Sequence, residues 1–108
     1  MKLILAIVSN EDSNRVMKHL VKYKHFVTKM SSSGGFLKSG NCTLMIGAND
    51  EQVHDIIDII SRHSKSRTEM IPNSIVSEYG SVIPSMPVEV NVGGATIFVL
   101  DVQQFMKI

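Results

Sequence analysis

Leu3-Ile4-Leu5-Ala6-Ile7-Val8 is an unbroken apolar run that stops abruptly at Ser9-Asn10-Glu11-Asp12. A short continuous run with polar ends predicts a strand buried on both faces. Helical spacing follows it. Val16, Leu20 and Tyr23 recur on one stripe with Met17 and Val21 beside them. Ser9 or Asn10 stands where a cap is needed, and Glu11 and Asp12 complement the positive helix start, so a helix is expected to end near Lys24. Phe26 to Met30 and Cys42 to Ile46 are β-prone and flank a Ser/Gly-rich loop, a β-hairpin-like excursion. Asn49 followed three residues later by Gln52 is a capping pair, and Val53, Ile56, Ile57 and Ile60 then keep helical spacing to about Arg62 or His63.

Beyond this helix the pattern weakens. Ser64 to Pro87 carries Ser, Lys, Arg, Asn and Gly with prolines at 72, 84 and 87, and reads as a long loop with room for short strand pieces. A loop of that length inside a small domain is usually a binding or lid loop. Val88 to Val92 alternates, Ala95 to Leu100 is nearly all apolar, and Gly93-Gly94 between them predicts a hairpin turn. The order of elements is βαββαβ with no internal repeat, an α+β plan on a single domain spanning 1–108.

Composition removes several functions. A formal net charge of +1 with 19% charged residues supplies no excess positive field for nucleic acid or an anionic membrane. One cysteine, Cys42, excludes an internal disulfide framework, and no CxxC or Cys/His cluster has zinc spacing. None of the four histidines forms an HExxH or similar pair. No nucleophile–base pair or P-loop is visible, so an enzyme is not expected. The acidic residues at helix starts, Asp12 among them, read as caps and solubilising groups. The six-residue apolar start is too short for a secretory h-region, so no targeting segment is read and a reducing cytoplasm fits.

Candidate chemistry concentrates between Thr28 and Gly47. Paired glycines at 34 and 35 let backbone N–H groups approach an anion or a flat ring, Phe36 offers a stacking face, and Asn41 a donor and an acceptor for a base edge. A nucleotide suits this set.

Thr28-Lys29 with Gly34-Gly35-Phe36-Leu37 and Gly40-Asn41, the opening strand into Asp12-Ser13, Pro87-Val88-Glu89-Val90 with Val92-Gly93-Gly94-Ala95-Thr96, and the closing Val102 and Phe105 stand together in one register. With these blocks the chain resembles the cyclic-di-AMP receptor family of PII-like signal transduction proteins. The resemblance implies a ferredoxin-like βαββαβ PII-like domain with an extra C-terminal hairpin and a long loop, assembled as a homotrimer. It also implies cyclic-di-AMP held in clefts between subunits. There Thr28 meets the phosphodiester, Gly35 with the backbone at Phe36 and Leu37 walls one adenine, Asn41 bonds its edge, and Gly47 keeps the pocket floor open. No other cofactor is implied, and an unidentified protein would read the bound state. Phe26 departs from the pattern, standing where these receptors usually carry an arginine. The alternative is a diverged trimer that binds another nucleotide or none and acts through protein contact.

Overall fold

The computed structural model describes residues 1–32, 40–71, 74–76, 82–84 and 88–108. Its element order is β1 (Lys2–Ser9), α1 (Asn10–Lys22), β2 (Val27–Ser32), β3 (Asn41–Ala48), α2 (Val53–His63), β4 (Arg67–Ile71), β5 (Ser74–Val76), β6 (Val82–Pro84), β7 (Val88–Val92) and β8 (Ala95–Asp101). A four-stranded sheet runs in the order β2-β3-β1-β8. Because β1 and β2 each lie antiparallel to β3, they are parallel to one another, and α1 is the crossover that spans the intervening strand. That is the expected βαββαβ plan with β8 as its last strand.

Both helices pack on one face. Ile4, Ala6 and Val8 of β1 and Cys42, Leu44 and Ile46 of β3 are buried against Val16 and Leu20 of α1 and Ile56, Ile59 and Ile60 of α2. Cys42 is a free, buried thiol filling a small apolar place. The alternate residues, Leu3, Leu5 and Ile7, lie on the opposite face and are only half-buried. The apolar run therefore covers itself on one side within the chain, against the expectation of burial on both.

The expected caps form. Ser9 closes the start of α1 by accepting from the Asp12 N–H at 3.3 Å, and the Asn49 N–H donates to Gln52 Oε1 at 2.9 Å ahead of α2. The end of α1 is a Schellman turn. The Lys24 N–H donates to Val21 O and the His25 N–H to Leu20 O, both at 2.9 Å, with Lys24 at φ 65°. Glycine is the residue suited to this place, since a Cβ in the left-handed region is disfavoured. Replacing Lys24 by glycine is expected to stabilise the fold by about 0.5–1 kcal/mol in urea denaturation.

The segment after α2 does hold short strand pieces: β4 pairs with β7, from Arg67↔Val92 to Ile71↔Val88, and β5 pairs with β6. One expectation changes: Gly93 and Gly94, at φ 80° and 85°, do not close a hairpin. They turn the chain from β7, which belongs to the two-stranded ribbon, into β8, which pairs with β1. The radius of gyration, 18.2 Å, exceeds the roughly 13 Å of a compact chain of this length, and the long axis reaches 63 Å.

The helix ends are joined by an imidazole stack. The His19 and His63 rings lie 3.6 Å apart between centroids, and Arg15 donates to the His63 carbonyl at 2.9 Å. Burial, followed by the charges of His19, Arg15 and Arg62, holds the His63 pKa below its ordinary value of 6.5. The folded state then refuses a proton that the unfolded chain accepts, so this stability is present at neutral pH and is lost as pH falls below about 6.5. Thermal melts at pH 7.5 and 5.5 should show a loss of stability on acidification that is smaller in His63→Gln.

Candidate functional site

The pleat decides which side chains meet. In register, Thr28 faces Met45, Leu3 faces Gly47 and Leu100, and Leu5 faces Met45 and Phe98. Thr28, Met30, Asn41, Met45, Gly47, Phe98 and Leu100 therefore share the sheet face turned away from both helices. This face is apolar, and Phe98 and Leu100 remain 41% and 43% exposed.

A cleft of 830 Å³ opens on it. Thr28 and Gly47, both exposed, line it together with Leu3, Met45, Val102 and Phe105. Phe26 stands at its rim, 89% exposed, a heavy apolar exposure for an aromatic ring. Lys2 also lines it, its ammonium bonded to Asp101 across β1 and β8. That contact raises the Lys2 pKa and lowers that of Asp101. At Gly47 an added Cβ would meet only the Met1 Cε at 3.6 Å, so the open floor comes from a missing side chain and not from backbone strain.

A smaller cavity of 260 Å³ adjoins the first and shares Met1, Phe26 and Gly47 with it. Its remaining lining is more polar: Lys24, His25, Asn49 and Gln52, with Ala48. His25 is 8% exposed and its Nε2 lies 3.1 Å from Asp55 Oδ2.

Of the residues expected at the site, the structure brings Thr28 and Gly47 into one cleft. Asn41 shares their face but sits at the far end of β3, 7% exposed and in register with Ser9 and Ser32. It lies four positions from Met45, the partner of Thr28, about 13 Å along the strand. Gly35, Phe36 and Leu37 lie outside the described residues. The Gly40 carbonyl, just ahead of β3, accepts from the Asn10 N–H at 3.1 Å, tying the entry to that strand to the start of α1.

Sequence reasoning gave no site role to Phe105, Val102 or Lys2. The closing Val102 and Phe105 were visible only as part of the wording that carries the resemblance, and it is the β8–β1 register, continued by the Val102 N–H to Met1 O bond of 3.2 Å, that carries them to the cleft. It also misplaced Asp12, which is neither a solvated cap nor exposed. Asp12 is completely buried and accepts from Ser9, Arg15 and Arg67. Among the described residues no group of His, Cys, Asp and Glu could hold a metal, and no helix is long and apolar enough to cross a membrane.

The model of a family described as cyclic-di-AMP receptor matches residues 1–108. Among solved structures, a functionally unknown protein from Pediococcus pentosaceus is similar to this chain, with 38% sequence identity and a TM-score of 0.76. The match covers 99% of this chain and 96% of that one.

Proposed function

The chain belongs to the cyclic-di-AMP receptor family, and on that premise we propose that it is a cytoplasmic, trimeric signalling protein, not an enzyme, that binds cyclic-di-AMP in clefts between its subunits. The carrying observation is the convergence of Thr28 and Gly47 on one cleft in a sheet face that no described helix covers. Its volume falls within the usual range for small-molecule sites, about 300–1,000 Å³. Its apolar lining suits a purine, and the Thr28 hydroxyl suits a phosphodiester oxygen. Asn41, on the same face, takes the edge of an adenine at a distance that a dinucleotide reaches and a single base does not. Gly35 and the backbone at Phe36 and Leu37 complete the adenine wall.

The trimer rests on β1. Leu3, Leu5 and Ile7 are apolar yet half-open, as are the neighbouring Met45 and Phe98, and a second and third copy would complete the burial that the unbroken run calls for. Signal output would be loop shape. Ligand held between Thr28 and Gly47 biases the 31–39 loop and the 64–87 region, and a protein partner reads the outcome.

Isothermal titration with cyclic-di-AMP, with cyclic-di-GMP and ATP as controls, tests this: saturation near one ligand per subunit is expected. Asn41→Ala should weaken binding about tenfold by removing a base-edge hydrogen bond, with the mass by light scattering unchanged. Unchanged affinity would remove Asn41 from the site. A second reading, a diverged trimer that works through protein contact with another nucleotide or none, is favoured by the bare Phe26 ring. Silence toward cyclic-di-AMP from a correctly assembled trimer would establish it.

A further inference from the structure

We propose that Lys24 is the phosphate-binding cation of this site, an inference that rests on the cyclic-di-AMP reading above. A cyclic dinucleotide carries phosphodiester anions, and taking them out of water calls for an opposite charge that is not already neutralised. The two adjoining cavities have four cationic or protonatable groups in their lining, and three already face carboxylates. The N-terminal ammonium lies 3.4 Å from Asp50, the Lys2 ammonium is bonded to Asp101, and His25 is 3.1 Å from Asp55. Lys24 is the fourth, exposed in the wall of the smaller cavity, and it makes no ion pair or hydrogen bond through its ammonium with any described residue.

Its backbone points the same way. Lys24 occupies the left-handed position of the Schellman turn at φ 65°, where glycine would relieve the strain. Strained non-glycine residues of this kind cluster at ligand sites. Phe26, two residues on, lines both cavities together with Gly47. A dinucleotide that lays one base in the larger cavity along Phe26 would carry a phosphodiester past Gly47, where no side chain obstructs it, to the Lys24 ammonium.

The assignment separates stability from binding at one residue. Lys24→Gly should melt at a higher temperature than the natural chain while binding cyclic-di-AMP about tenfold more weakly, the loss expected for one charge-assisted hydrogen bond at a partly solvated site. Lys24→Arg, which keeps the charge and the strain, should recover most of the affinity without the rise in melting temperature. Calorimetric titration and thermal melts of the three proteins decide the matter. Equal affinity in Lys24→Gly and the natural chain overturns the Lys24 assignment and leaves the receptor reading standing. No binding by the natural chain overturns both.

Discussion

Asp12→Asn should lower the unfolding free energy by about 2–3 kcal/mol, read as a shift in urea midpoint at unchanged slope. The carboxylate is fully buried. It accepts from Arg15 Nη2 at 2.8 Å, from Arg67 Nη2 at 3.0 Å and Nη1 at 3.2 Å, and from Ser9 Oγ at 3.0 Å. Burial alone would push its pKa up. The hydrogen bonds of Arg67 and Ser9, with the charges of Arg67 and Arg15, outweigh burial and hold it below the ordinary 3.8. Asparagine keeps the volume, yet it loses the charge and turns an NH₂ toward guanidinium donors. Removing one member of a buried pair costs about 3–5 kcal/mol, but here the guanidiniums left behind are 33% and 49% exposed, so water recovers part of that.

The sign of the pH dependence follows. A carboxyl with a depressed folded pKa contributes stability above its unfolded value and loses it as pH falls through the folded one. The gap between the natural chain and Asp12→Asn should therefore be full at neutral pH and close as the solution is acidified below about 3.8. A constant gap would mean that Asp12 packs without being charged. The forked contact also has a structural consequence: it fixes Arg67, the first residue of β4, to the start of α1, and so anchors the ribbon to the sheet domain.

How much of this could be read from the chain depends on how local the cause is. Ser9, Asn49 and Gln52 were legible because a cap acts within one turn. Val16, Leu20, Ile56 and Ile60 were legible because helical spacing states which residues share a face. Tyr23 and Val21 remain 54% and 59% exposed, since the helix ends at Lys22, leaving Tyr23 as its C-cap, and Val21 lies a quarter-turn or more around the helix from Val16 and Leu20. The Gly93-Gly94 hairpin failed for a reason outside the turn. The local chemistry is right, as both glycines have positive φ, but the apolar β8 pairs with β1, where Leu3 meets Leu100 and Leu5 meets Phe98. Choice of partner strand is a long-range matter of burying apolar faces, and turn residues do not encode it. Asp12 failed likewise: an acid in a first helical turn reads as a cap until an arginine 55 residues away covers it.

At the candidate site the same division holds. Thr28 and Gly47 carried recognisable wording, and the pleat puts them on one face. Lys24 was legible only as one of several lysines. Its significance lies in the left-handed turn and in the carboxylates that occupy its neighbours, neither of which has a linear signature.

Gly93→Ala should destabilise by about 2–4 kcal/mol, whereas Gly94→Ala should cost only about 1–2 kcal/mol. Both residues have positive φ, 80° and 85°, so both substitutions meet the backbone penalty of an L-residue. They differ in what surrounds the new methyl group. At Gly94 the nearest atom is Ser66 Cβ at 3.8 Å, ordinary contact. At Gly93 a Cβ would lie 2.7 Å from the Lys65 carbonyl oxygen, 2.6 Å from Arg67 Nη1 and 3.1 Å from Asp12 Oδ2. The carbonyl belongs to the backbone and cannot rotate away, and displacing the guanidinium breaks the fork on Asp12. The two glycines thus have different work: Gly94 turns the chain, and Gly93 also lets it pass against the Asp12–Arg67 pair. A double-mutant cycle separates the terms, because Arg67→Ala removes one clashing atom and should shrink the penalty of Gly93→Ala while leaving that of Gly94→Ala unchanged. Equal penalties at the two glycines, or no coupling to Arg67, would show that the β7–β8 turn does not press on the Asp12 cluster.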